Sequence, residues 1–174
     1  MSGVGHEDHR RAAPARVRVW IVTASDTRGE AEDESGAWLR AAVAAAGHEV
    51  AGYRVVRDEP DELRAALAAA DAAGADAVVV NGGTGISARD RTYEAVAGLL
   101  EKRLDGFGEL FRWLSFQEIG SAAMLSRAVA GVWRGRAVFA VPGSAAAVRL
   151  AWERLVGPEL PHVVHELRRH AHRP

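Results

Sequence analysis

Cysteine is absent from this chain, so it has no means of forming a disulfide framework or a thiolate metal site. That fits a reducing compartment without requiring one. No apolar run reaches the length of a bilayer, and the opening MSGVGHEDHRRAAPAR lacks the apolar stretch of a secretory signal. The expected setting is the cytoplasm, with no membrane partner. Charge of one sign is missing too: the net charge is −1 and the pI about 6.7, so no global field recruits nucleic acid. Neither G-x-G-x-x-G nor the G-K-[ST] of a Walker loop occurs, which argues against a dinucleotide fold and removes the P-loop lysine. His162 and His165 are one helical turn apart, but HExxH and a third ligand are lacking, so a solvated helix face explains them better than a metal. His6 and His9 belong to the N-terminal tail.

What is present suits one domain with a core: 174 residues, 48% hydrophobic and 26% charged. Residues 1–15 read as a disordered tail and 16–174 as a single domain. Strands are expected at Arg16–Thr23, Glu49–Val56, Asp76–Asn81, Ala128–Trp133 and Ala137–Val141, the last two around Arg134-Gly135. Between them lie helical patterns. Trp38, Leu39, Ala42, Val43 and Ala46 share one face of Glu34–Ala46, which Gly47 should stop. Leu63, Ala66, Leu67 and Ala70 line a helix that starts near Pro60. Thr92–Leu100 is helical, and 104–127 reads as two short helices broken near Ile119-Gly120. Ser144–Val156 and Pro158–His170 close the chain. The five tryptophans read as core or interface anchors. Strands alternating with helices predict an α/β domain of three layers, a mostly parallel sheet flanked by helices.

Ligands of such sheets bind beyond the carboxyl ends of the strands. Four segments fall there: Ser25-Asp26-Thr27, Asp58, the turn Gly82-Gly83-Thr84-Gly85, and Pro142-Gly143-Ser144. A side-chain-poor turn after a strand lets backbone N–H groups approach an anion. Asp90, five residues beyond that turn, and Asp58 could together hold Mg²⁺, which takes oxygen ligands and keeps several waters. Each aspartate also has the simpler duty of a helix cap, as has Ser144. Asp33 reads as a cap or a solvated residue.

Four segments carry a resemblance: VTASDTRGEAEDESG, NGGTGISARD, DGFGELFRWLSFQEIGSAAMLSRAVAG and VPGSAAAVRLAWERLVGPELPH. In their order and spacing the chain resembles the molybdenum cofactor biosynthesis protein B and molybdopterin adenylyltransferase family, from about Val17 to Leu167. The resemblance implies the molybdopterin-binding fold. It implies an adenylyltransferase that joins the terminal phosphate of molybdopterin to AMP from ATP with Mg²⁺, releasing pyrophosphate. The alternative is a molybdopterin-binding paralogue with little or no turnover, a carrier or scaffold. By the same resemblance Asp58 and Asp90 are the catalytic and metal-binding carboxylates. Thr23, Ser25, Thr84, Glu109, Ser115 and Ser126 lie at or beside the substrate, joined by Gly82, Gly83, Gly85, Pro142, Gly143 and Ser144 from the site segments. Asn81 stands where Thr is commoner, and Tyr93 where Pro is commoner. A homotrimer or homohexamer and a molybdenum-insertion enzyme as pathway partner are implied too. The related domain of competence/damage-inducible proteins, a nucleotide hydrolase, shares the fold, but SFQEIG and SRAVAG point to protein B.

Overall fold

Ala77, Val78, Val79 and Val80 are all buried, so β3 (Ala77–Asn81) has to be covered on both faces, as the central strand of a parallel sheet is. A computed structural model of the chain describes residues 13–169. Around β3 lie β1 (Arg18–Ala24), β2 (Glu49–Val56), β4 (Lys102–Arg103), β5 (Val129–Trp133) and β6 (Arg136–Val141). They form one sheet in the order β2-β1-β3-β6-β5-β4. The pairs β1–β2, β1–β3 and β3–β6 are parallel, while β5 is antiparallel to both β6 and β4. Only β5 therefore runs against the rest. The cause is local: Arg134 (φ 47°) and Gly135 (φ 73°) make a two-residue turn of positive φ, which joins only antiparallel neighbours.

The helices are α1 (Glu34–Ala45), α2 (Pro60–Ala72), α3 (Thr92–Ala97), α4 (Asp105–Ile119), α5 (Ala145–Ala151) and α6 (Gly157–Arg168). Strand residues alternate between two cores, as a period of two requires. Val19, Ile21, Val79 and Phe139 pack with Leu39, Val43, Phe111, Val148, Trp152 and Leu160 from α1 and α4 through α6. Trp20, Val22, Val78, Val80 and Val138 pack with Leu63, Leu67 and Val96 from α2 and α3. The three-layer expectation matches this architecture.

Some boundaries differ. The helix expected over Thr92–Leu100 stops at Ala97, because the chain must straighten for Lys102 and Arg103 to pair with Val132 and Gly131. Nothing in two exposed residues announces the strand β4. Ala46 is exposed and outside α1, since Gly47 at φ 82° ends the helix there. Between α5 and α6 the run widens into a π-helical turn, Trp152–Val156. Pro158 has no N–H to give and its ring crowds the carbonyl four residues back, which a wider turn relieves. The break at Ile119-Gly120 is present, and a 3₁₀ segment, Gly120–Leu125, follows it. Trp20, Trp133 and Trp152 are core residues, whereas Trp113 is 58% exposed. His6, His9 and the tail expected over 1–15 up to residue 12 lie outside the described residues, as does His170. Among the described residues no helix is long and apolar enough to cross a membrane.

Candidate functional site

The sheet ends build the site. β1 runs into Ser25, β2 into Asp58, β3 into Gly82 and β6 into Pro142, and all four residues line one open crevice of about 430 Å³. Beneath it Asn81 donates to the Val22 carbonyl (3.2 Å) and the Thr23 hydroxyl (2.9 Å), tying the ends of β1 and β3 together. Ser35, in the first turn of α1, donates to the Gly143 carbonyl (2.9 Å) and holds the Pro142–Ser144 turn against that helix. Asp33 caps the same helix by accepting from the Gly36 N–H (3.0 Å) and is buried, with the Tyr53 hydroxyl donating to it (2.6 Å).

Gly82 and Gly83 have φ of 96° and 63°, a conformation side chains resist. Their lack of Cβ also makes room. A Cβ on Gly83 would lie 2.1 Å from Asp58 Oδ2, so the turn packs directly on that carboxylate. Asp58 is 4% exposed yet lines the crevice. Its carboxylate accepts from the Thr92 hydroxyl (2.9 Å) and the Arg91 N–H (3.1 Å). Asp90 accepts from the Ser87 N–H (2.9 Å) and lines the same crevice. Asp58 therefore does not cap the helix that follows it, α2, where Glu59 is the N-cap; it anchors the start of α3 and faces the cavity with Asp90.

The electrostatics set Asp58 apart from Asp26. Asp26 takes two hydrogen bonds from Arg89 (2.9 and 3.0 Å), which hold its carboxyl below the usual range. Burial pushes Asp58 up instead, opposed by its two hydrogen bonds and reinforced by the charges of Asp90 and Asp26. A carboxyl with a raised folded-state pKa keeps its proton longer in the folded chain. Its contribution to stability is thus lost as pH rises from 3.8 through the raised value. Over that window wild type should lose stability relative to Asp58→Asn. Urea midpoints of both proteins across the acid range check this, and parallel curves would contradict it.

Among the described residues neither Asp58 nor Asp90 has an ion pair, and no cluster of three or more acidic or histidine side chains could cage a metal. Two unneutralised carboxylates fit a magnesium ion that completes its shell with phosphate oxygens and water, and do not fit a metal held by protein alone.

The crevice gathers Ser25, Asp58, Gly82, Gly83, Thr84, Gly85, Asp90, Ser126, Pro142, Gly143 and Ser144. Three expected residues fall elsewhere. Thr23 is 1% exposed and engaged below the crevice with Asn81, because it still belongs to β1. Ser115 is 4% exposed within α4. Glu109 lines a separate cavity of about 230 Å³ with Arg103 and Arg112. In the isolated chain these three are not crevice-lining residues. Conversely, Arg28, Arg89 and Leu125 line the crevice without having been singled out, and Asp26 without an assigned role. A loop arginine carries no spacing signal for what it reaches.

Comparison with known proteins gives the following. The profile of a family described as a probable molybdopterin binding domain matches residues 18–162. A molybdenum cofactor biosynthesis protein B of Halalkalibacterium halodurans is 53% identical over 163 residues, 92% of this chain and 96% of that protein. Its counterpart in Bacillus subtilis is 50% identical over 165 residues, 94% and 97% of the two chains. Among solved structures, a molybdenum cofactor biosynthesis protein B superposes with a TM-score of 0.87 at 50% identity, covering 90% of this chain and 99% of that one. The tungsten cofactor synthesizing protein MoaB of Pyrococcus furiosus gives 0.83 at 40%, with the same coverage.

Proposed function

The chain belongs to the molybdenum cofactor biosynthesis protein B family, built on a molybdopterin-binding domain, and from that premise we propose that it adenylylates the terminal phosphate of molybdopterin with Mg-ATP. The observation that carries this reading is the meeting of Asp58 and Asp90 with the glycine turn in one crevice, from distant parts of the chain. A phosphate oxygen of the pterin attacks the α-phosphorus of ATP, and pyrophosphate leaves. Such transfers depend on alignment and on neutralising charge, with little covalent work for the protein. Asp58 and Asp90 would hold the magnesium, whose charge offsets repulsion between the two anionic reactants. The glycine turn lines the crevice and would offer backbone N–H groups to the anion, and its missing side chains let it pack on Ala24, Asp58 and Asp90. No general base is needed, since a phosphate monoester is already an anion at neutral pH. The test is pyrophosphate release that depends on both molybdopterin and Mg-ATP.

A second reading, binding without turnover, is favoured by one feature: Asp58 already accepts a hydrogen bond at each oxygen from the start of α3. It requires that molybdopterin bind while pyrophosphate stays absent, so the same assay separates the two. In the pathway the adenylylated product would pass to a molybdenum-insertion enzyme.

Self-association belongs to this reading as well. Leu110, Trp113 and Phe116 recur every three residues along α4 and are 51%, 58% and 59% exposed, with Met124 at 81% just beyond. Large apolar groups rarely cluster on a surface meant to stay wet. A homotrimer or homohexamer buried along this stripe should fall to smaller species in Trp113→Asp. Sedimentation velocity reads the result, and an unchanged distribution in the variant would remove the stripe from the interface.

A further inference from the structure

The crevice contains more negative charge than positive charge available for a ligand. Asp26, Asp58 and Asp90 line it, with Arg28 and Arg89 as its cationic side chains. Arg89 is committed: it bonds Asp26 twice and Glu59 once, at 3.0 Å. Nearby Arg127 is committed too, donating to the Thr84 carbonyl (2.9 Å) and pairing with Glu94. Lys102, the chain's single lysine, is on the edge strand β4. The guanidinium of Arg28 alone among these crevice cations makes no hydrogen bond or ion pair with the described residues.

Its position is set by the loop. The Ser25 hydroxyl accepts from the Thr27 and Arg28 N–H groups (3.4 and 3.0 Å), turning the chain back over the sheet just after β1. From there the side chain reaches across to the turn after β6: a Cβ on Gly143 would sit 3.9 Å from Arg28 Nη2. Asp58 follows β2, at the other end of the β2-β1-β3-β6 row. Asp58 and the free guanidinium thus enter the cavity from different strand ends, one after β2 and the other beside the turn after β6.

This separation suits a reaction that builds charge in two places. Attack by the pterin phosphate forms an O–Pα bond and breaks the bond between Pα and the bridging oxygen, whose electron pair departs on pyrophosphate. Asp58 and Asp90 would hold a magnesium, which would supply positive charge to the reacting phosphates. The leaving oxygens need a cation of their own, and aspartates cannot supply it. We propose that Arg28 binds the pyrophosphate portion of the nucleotide and stabilises it as the leaving group. Its planar fork matches two phosphate oxygens at once.

This inference rests on the adenylylation reading, and the experiment separates the two. Full-length wild type, Arg28→Ala and Arg28→Lys are titrated calorimetrically with Mg-ATP and with AMP, and turnover is followed by pyrophosphate release. Arg28 is exposed, so the variants should fold, and thermal melting verifies it. Arg28→Ala should bind Mg-ATP about ten- to a hundredfold more weakly, while AMP binding is nearly unchanged. Its kcat should fall as its KM rises, because charge on the leaving oxygens is greatest in the transition state. Arg28→Lys should lie between, keeping the charge but not the fork. Equal Mg-ATP affinity in wild type and Arg28→Ala, or an equal loss for AMP, overturns the role of Arg28 and leaves the adenylylation reading standing. Wild type that binds no Mg-ATP overturns both.

Discussion

Asp58→Asn and Asp90→Asn should each lower adenylyl transfer by about a hundred- to a thousandfold while molybdopterin still binds. Each removes one carboxylate from a pair that makes no ion pair among the described residues. The pterin would lose little, because Ser126, the glycine turn and the Pro142–Ser144 turn remain. On the proposal that both carboxylates hold one ion, the double variant should be scarcely worse than the worse single one. Asp58 needs a control, since it also accepts from Thr92 and the Arg91 backbone. Thr92→Val removes the hydroxyl bond and keeps the carboxylate. It should cost about 1 kcal/mol of stability and leave turnover within roughly tenfold of wild type. Pyrophosphate release together with urea midpoints reads all four proteins. Wild-type turnover in both aspartate variants would end the proposed mechanism, and a Thr92→Val as inactive as Asp58→Asn would reduce Asp58 to a structural anchor of α3.

Gly82→Ala should be strongly destabilising. The added Cβ would lie 2.2 Å from the Ala24 carbonyl oxygen, a backbone atom at the end of β1. Neither partner has a flexible side chain to move aside. The residue also sits at φ 96°, which an alanine adopts only under strain. Strain and overpacking together should cost about 2–5 kcal/mol, against a total of about 5–15 kcal/mol for a typical domain. Gly47→Ala is the matched comparison: its φ is 82°, but nothing lies within 4 Å of the new Cβ. Only the conformational cost applies there, about 1 kcal/mol. Denaturant midpoints of the two variants separate backbone strain from close approach. Equal losses would mean that the contact between the glycine turn and β1 contributes nothing.

Much of the fold was legible because its signals are local. β2 matches its expected limits, Glu49–Val56, and the hairpin turns at Arg134-Gly135 as residue type suggested. The break in the 104–127 segment falls at Ile119-Gly120, where a glycine of positive φ ends α4. What escaped were features set by neighbours distant in the chain. The two-residue strand β4 exists only because β5 lies beside it. Ser115 and Glu109 share a helix, yet one is buried and the other opens on a different cavity. Thr23, one residue before a strand's end, turns inward to Asn81 rather than outward to the crevice.

Residue order alone determined that strands alternate with helices, that glycines follow β3, and that carboxylates follow β2 and the glycine turn. Those are consequences of backbone preference and of hydrophobic period, which act over a few residues. Only the packed sheet decided that these strand ends converge, that Arg89 pairs with Asp26, and that Arg28 faces the crevice uncommitted. Charge pairing depends on distance in space, and the parallel crossovers that bring residues 26, 58 and 89 together are not written in any short stretch of sequence.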